Sequence, residues 1–213
     1  WIIVHRRIWL SVVLGAGLAL ALLLGLAARA PVQADGGSGT LWLPASLDRP
    51  HDPVVVPGEA LPGLSGVPLD EVFVYAYRTV STPVQIPAQI DERTADGVYV
   101  PREDGRLDAN DELVFMAADA GGWVLSPTLK VGETSLAPAA VVTLTDPLGG
   151  GGWVYLYRST ALSPTATRYV AYDAPTDRLT GQGHYTLGFH PQGFFRDHLT
   201  LGTGDVDLLD REQ

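Results

Sequence analysis

Hydrophobic and polar positions fall into two regimes along the chain. From Ile8 to Ala28 runs an uncharged stretch, IWLSVVLGAGLALALLLGLAA, preceded by His5, Arg6 and Arg7. Beyond Leu41 the apolar residues recur instead in short β-branched and aromatic stretches bounded by Gly, Pro, Asp or Ser. The first pattern predicts a membrane-spanning helix, since about 20 apolar residues cross a hydrocarbon core of about 30 Å. The second predicts strands. They are expected at Glu71–Val80, Val84–Ile90, Gly97–Val100, Glu112–Ala117, Trp123–Leu125, Ala139–Thr145, Trp153–Arg158, Arg168–Tyr172, His184–Phe189 and Phe194–Leu201. Leu41 to Pro68, rich in Pro and Gly, reads as extended chain and edge strands. No external stretch carries a helical apolar stripe over ten residues. The expected fold is therefore all-β, a jelly-roll-like β-sandwich behind one N-terminal transmembrane helix.

The clearest hairpin is VVTLTDPLGGGGWVYLYRS. Thr143 and Thr145 alternate with Val142 and Leu144, and Trp153, Tyr155 and Tyr157 alternate with Val154 and Leu156. Asp146-Pro147 opens the turn, and glycines 149 to 152 complete it. Four glycines also suggest a phosphate cradle, but such loops feed a helix and carry a Lys, whereas a strand comes next here.

The expected organisation is a cytoplasmic stub over 1–7, the membrane helix over 8–28, a flexible linker over 29–40 ending in DGGSGT, and one external β domain over 41–213. A retained anchor is favoured over a cleaved signal peptide, because the apolar run exceeds the usual 7–15 residues. Val32-Gln33-Ala34 is the best cleavage-like site. Arg6 and Arg7 place the N-terminus in the cytoplasm and the domain outside. A start at Trp1 rather than Met places the native start upstream, and the abrupt ending GDVDLLDREQ suits a longer native chain. Within the helix, Gly17, Ala21 and Gly25 recur every four residues, as do Gly15 and Ala19. Such small residues form a ridge on which a partner helix packs.

Charge narrows the partners. All 24 acidic residues lie at or after Asp35, with 11 of the 14 basic ones, which leaves the external part at −13. That excludes nucleic acid, which needs a basic surface, and disfavours anionic lipid. It suits solubility, a cation or a basic partner. The chain has no Cys, which excludes disulfides, thiolate metal sites, iron–sulfur clusters and covalent haem attachment.

Chemistry concentrates in IPAQIDERTADGVYVPREDGRLDANDELVFMAADAG, residues 86–121. Asp91, Glu92, Asp104, Asp108, Asn110 and Asp111 offer the oxygens that a hard cation such as Ca²⁺ takes. Equally, Asp, Asn and Gly form turns through nearby backbone amides. The DGRLDANDEL part resembles the second half of an EF-hand or dockerin calcium loop. With Gly105 at the sixth position, however, the first and third are Val100 and Arg102, which supply no side-chain oxygen ligand.

The whole segment resembles one shared by uncharacterised bacterial extracytoplasmic proteins, IP-x-Q-x-DE followed by DG-x-LD-x-NDELVFMA-x-D-x-G. More distantly it resembles β-sandwich domains found beside polysaccharide lyases and hydrolases. The resemblance implies β architecture and an outside location, and carries over no catalytic residue.

No G-x-S-x-G elbow occurs, and 24 acids always contain some pair at glycosidase spacing. His184, His190 and His198 could meet at a zinc or iron site, although Pro191 and Gly193 interrupt the strand between them. Trp42, Tyr75, Tyr77, Trp123, Trp153, Tyr155, Tyr157, Tyr185, Phe194 and Phe195 supply candidates for a sugar-stacking platform, about half of which should face a core. The leading expectation is a non-catalytic accessory or structural subunit of a larger membrane complex, such as a respiratory or photosynthetic one, with no cofactor. The alternative is a cell-surface carbohydrate-binding or carbohydrate-processing module, with Ca²⁺ as its one candidate cofactor.

Overall fold

The computed structural model describes residues 9–13, 42–49, 52–181, 184–190, 192, 195–202 and 206–209. Its strands, in chain order, are β1 (Trp9–Val13), β2 (Trp42–Leu43), β3 (Pro53–Pro57), β4 (Val72–Thr79), β5 (Thr82–Gln85), β6 (Ala88–Asp91), β7 (Glu112–Met116) and β8 (Trp123–Val124). Next come β9 (Leu129–Val131), β10 (Thr134–Leu136), β11 (Ala140–Thr145), β12 (Gly151–Arg158), β13 (Val170–Asp173), β14 (Arg178–Gly181), β15 (Tyr185–Phe189) and β16 (Arg196–Leu201). Among the described residues the only helices are short 3-10 turns, and every strand pair is antiparallel. The all-β expectation holds. The chain divides into two compact units, 1–164 and 165–213, where the sequence suggested a single domain over 41–213.

The first unit is built around a five-stranded sheet of order β1-β11-β12-β4-β5. Its centre is apolar on both faces because strand side chains alternate. Val74, Ala76, Val142, Leu144, Val154 and Leu156 point to one side. There they pack with Val54, Val56, Leu113 and Phe115 of a three-stranded sheet, β3-β7-β6. That pairing of sheets is the sandwich. Phe73, Tyr75, Tyr77, Tyr155 and Tyr157 point to the other side, where Val124, Leu129, Val131 and Leu136 of β8, β9 and β10 cover them. The predicted strand Val84–Ile90 is in fact two. The chain leaves the larger sheet at Gln85 and joins the smaller one at Ala88, with Ile86-Pro87 as the crossover. Gly97–Val100 contributes only one bridge, Arg93 to Tyr99.

The predicted hairpin is present with Thr143 opposite Trp153 and Thr145 opposite Gly151. Its turn is held from outside the hairpin. Arg49 grips Asp146 with two bonds (Nε–Oδ2 2.7 Å, Nη2–Oδ1 2.9 Å), and Ser46 pairs with Gly151 through both backbone and side chain.

The tyrosine layer is polar at its heart. The Tyr77 and Tyr157 hydroxyls lie 3.0 Å apart, and Tyr155 accepts from the Val124 amide and donates to the Gly122 carbonyl. Rings pair edge to face, Tyr75 with Tyr157 and Tyr77 with Tyr155. Burial pushes the Tyr155 phenol up to about 12, and raises Tyr75, Tyr77 and Tyr157 as well. The neutral phenol is thus the form the fold holds. The unfolded chain releases these protons from about pH 10 while the folded one retains them, so stability should fall as pH rises above about 10. A melting temperature that stays flat between about pH 9 and 12 would contradict this assignment.

Of the expected membrane span, only Trp9–Val13 is described. It pairs as β1 along β11, Trp9 opposite Thr145 and Val13 opposite Val141. Over those five residues the structure has a strand where a helix is expected. A Trp-Leu-Ser-Val-Val run suits either state, being apolar as well as aromatic and β-branched. The rest of the span lies outside the described residues, including Gly17, Ala21 and Gly25. Among the described residues no helix is long and apolar enough to cross a membrane.

The second unit is a meander, β13-β14-β15-β16. Its register puts Val170, Tyr172, Leu179, Leu187, Leu199 and Leu201 on one face, and Asp173, Arg178, Thr180, Thr186, His198 and Thr200 on the other.

Candidate functional site

The carboxylate-rich segment connects β6 to β7. It leaves the smaller sheet after Asp91, makes a small hairpin over 92–100, loops through 101–111 and re-enters at Glu112. Two buried acids hold it. Glu92, 7% exposed, turns one oxygen, Oε1, toward the loop. It accepts from the amides of Glu103 (3.0 Å), Asp104 (3.0 Å) and Gly105 (2.7 Å). Those amides, Gly105 first, hold the Glu92 carboxyl below its ordinary range, with the Arg102 charge adding to them. Asp111, 1% exposed, bridges two strands of the loop, Oδ1 accepting from Arg93 N (3.0 Å) and Oδ2 from Asp108 N (2.7 Å). Three backbone donors at one oxygen are what a fixed negative charge attracts, and Glu92 gives the loop's amides the acceptor they need.

The neighbouring residues extend this lock. Asn110 donates through Nδ2 to the Arg93 carbonyl. Arg93 pairs with Glu112, lies 5.1 Å from the Tyr99 ring centroid and reaches the Gly97 carbonyl. The Tyr99 hydroxyl donates to the other Glu112 oxygen at 2.7 Å. Asp104 Oδ1 takes the Arg106 amide at 2.7 Å, and Asp91 takes the Gln89 amide group. Leu107 is fully buried in the sandwich core, where it anchors the loop from below.

The six oxygen-bearing residues therefore lie in one segment, but the side chains of five of them already accept or donate within it. Asp108 differs. Burial first, and then the charges of Asp104, Asp111 and Glu92, raise its carboxyl above the ordinary range. Removing that charge should stabilise the fold. Asp108→Asn is expected to raise the melting temperature by about 2 °C, the shift that roughly 0.5–1 kcal/mol produces in a chain of this size. Asp111→Asn should lower it. A fall in both variants would show that Asp108 is held by a favourable contact. Among the described residues no group of three or more His, Asp or Glu stands in an arrangement that could hold a metal ion.

The histidines are dispersed over different contacts. His190 stacks on Phe195, centroids 4.6 Å apart. His198 faces Asp207 (Nδ1–Oδ2 2.5 Å), whose other oxygen accepts from Leu199 and Leu209. His51 lies outside the described residues. Of the aromatic residues considered for sugar stacking, Tyr75, Tyr77, Tyr155 and Tyr157 are core, and Phe194 lies outside the described residues. Phe195 is exposed, and so are Tyr99 and Tyr172, which did not stand out in the sequence.

Two glycines fix how the segment packs: Gly58, which went unnoticed in the sequence, and Gly121, the last residue of the NDELVFMA-x-D-x-G stretch. At Gly58 a Cβ would stand 1.8 Å from the Asp108 carbonyl oxygen, and its amide donates to Asp111 O at 2.8 Å. Gly121, at the segment's end, enters between β4 and β12. It exchanges backbone bonds with Trp153 while Gly122 bonds Tyr77, and a Cβ on Gly121 would stand 2.4 Å from the Tyr77 oxygen. In the sequence Gly58 is only a glycine in ordinary surroundings, whereas Gly121 belongs to the marked stretch without any sign of its close approach to Tyr77.

The arrangement is a loop clamp: charged acceptors inside, backbone donors around them, an aromatic and guanidinium stack at the rim. No protein-family model, characterised protein or solved structure matches the chain.

Proposed function

We propose that the protein is a non-catalytic accessory or structural subunit of a larger membrane complex. One N-terminal helix anchors it with the N-terminus in the cytoplasm, and it displays an acidic, jelly-roll-like β-sandwich outside the membrane. The observation that carries this reading is the engagement of the polar segment with its own backbone and side chains. Glu92, Asp111, Asn110 and Glu112 hold a loop in place, as a scaffold requires. The anchor adds the small-residue ridge Gly17, Ala21 and Gly25 as its contact with neighbouring helices. The test is gentle detergent extraction from the native membrane at native abundance. Stoichiometric co-purification of other subunits is expected, and a free monomer sinks the reading.

A second reading, a glycan-binding surface module, is favoured by the exposed rings of Tyr172 and Phe195 in the second unit. A glycan array probed with and without chelator separates the two.

A further inference from the structure

The edges of the two larger sheets in the first unit are not alike. A sheet edge presents unpaired N–H and C=O groups, and proteins protect it with Pro, charge or a bulge. The β5 edge carries Pro83 and a register shift against β4. The β3 edge begins and ends with Pro. The β6 edge comes after Pro87 and ends in Asp91. β11, Ala-Val-Val-Thr-Leu-Thr, has no Pro, no charge and no irregularity in its register with either neighbour. An edge of that composition is made to be covered, and in the structure a strand covers it: Trp9–Val13 lies antiparallel with five residues in register.

Those five residues also open the apolar run read as the anchor. With the N-terminus in the cytoplasm they sit at the far leaflet, across about 30 Å of hydrocarbon from the external domain. They cannot be in the bilayer and on β11 at once.

We propose that β11 is a strand-docking site. Once Trp9–Val13 is withdrawn into the membrane, it accepts an extended, uncharged, apolar segment of a partner subunit, antiparallel, by strand addition. This rests on the accessory-subunit reading and names the contact through which the external domain would join its complex. Main-chain hydrogen bonds supply the affinity in such additions, and alternate side-chain positions supply the specificity. The site selects against charged strands, because Val142 and Leu144 in the same strand are core and no basic or acidic side chain of β11 is there to pair with.

The test uses the full chain inserted in neutral phosphatidylcholine vesicles. The probe is a peptide of residues 8–14 flanked by lysines. Amide exchange over residues 140–145 is tracked by mass spectrometry. Saturable one-to-one protection of that segment is expected. A peptide carrying Ser11→Pro partitions into lipid similarly but cannot complete the ladder, and should bind at least about tenfold more weakly. Equal protection by both peptides, or by neither, overturns the proposal. Because the chain lacks Cys, a Ser11→Cys, Thr143→Cys variant reports its own strand, these two positions being opposite each other. Under oxidation in vesicles it should remain unlinked, and a quantitative intrachain disulfide there also overturns the proposal. A chain that extracts as a free monomer yet binds the peptide refutes the accessory reading alone. A chain that co-purifies with subunits yet ignores the peptide refutes the strand site alone.

Discussion

Glu92→Ala is expected to destabilise the first unit by about 3 kcal/mol, read from urea unfolding. The substitution removes the carboxylate, whose Oε1 is the shared acceptor, and strands three backbone donors, those of Glu103, Asp104 and Gly105. Each buried donor left without a partner costs about 1–3 kcal/mol, and water reaches part of this exposed loop, so the lower end applies. Glu92→Gln keeps an oxygen but not the charge, and should cost about 1 kcal/mol. The pH dependence stems from the lowered carboxyl. A carboxylate held below its unfolded value of about 4.3 contributes in full above that value, and the contribution is lost as pH falls through the depressed folded one. The acid limb of the stability profile should therefore flatten in Glu92→Ala. A change under about 0.5 kcal/mol, the size of an ordinary surface substitution, would show that the three amides do not depend on Glu92.

Gly58→Ala should cost about 3 kcal/mol, a drop in melting temperature of roughly 10 °C. A Cβ there would collide with the Asp108 carbonyl at 1.8 Å, and that contact is backbone on backbone, so no side chain can swing away. Relief requires Gly58 and the 108–111 turn to separate. That breaks the bonds from Gly58 N to Asp111 O and from Glu59 N to Ala109 O. It also lifts Leu107 and Leu61, both fully buried, from a shared core. A drop of less than about 2 °C would mean the turn yields without cost.

These two sites show how far local pattern reaches. The carboxylate segment is recognisable as special from its composition alone, and its six marked residues run from the last residue of β6, Asp91, through the connection to β7. Their work is not recognisable. Glu92 meets Gly105 only because β6 and the 101–111 loop are folded back on each other, which no local spacing records. The same holds for Gly58, 50 positions from the carbonyl it approaches. The tyrosines of β4 and β12 alternate visibly. Whether their face is wet or covered depends on β8, β9 and β10, and the last two are three-residue strands too short to announce themselves. Burial then turns a candidate sugar platform into a core layer.

By itself the sequence determined the strand-rich class, the β11–β12 hairpin and the side on which each of its residues lies, because a period of two and a Gly-rich turn are local properties. It also determined the uncharged N-terminal run and the acidic balance of the chain beyond that run. The tertiary structure alone decided that the central sheet is covered on both faces, that the acids clamp a loop, that the chain splits after Pro164, and that β11 is paired with Trp9–Val13. Each of these depends on which distant segments meet. Hydrophobic burial and backbone hydrogen bonding reward any suitable partner, so the choice among partners is made only when the whole chain packs.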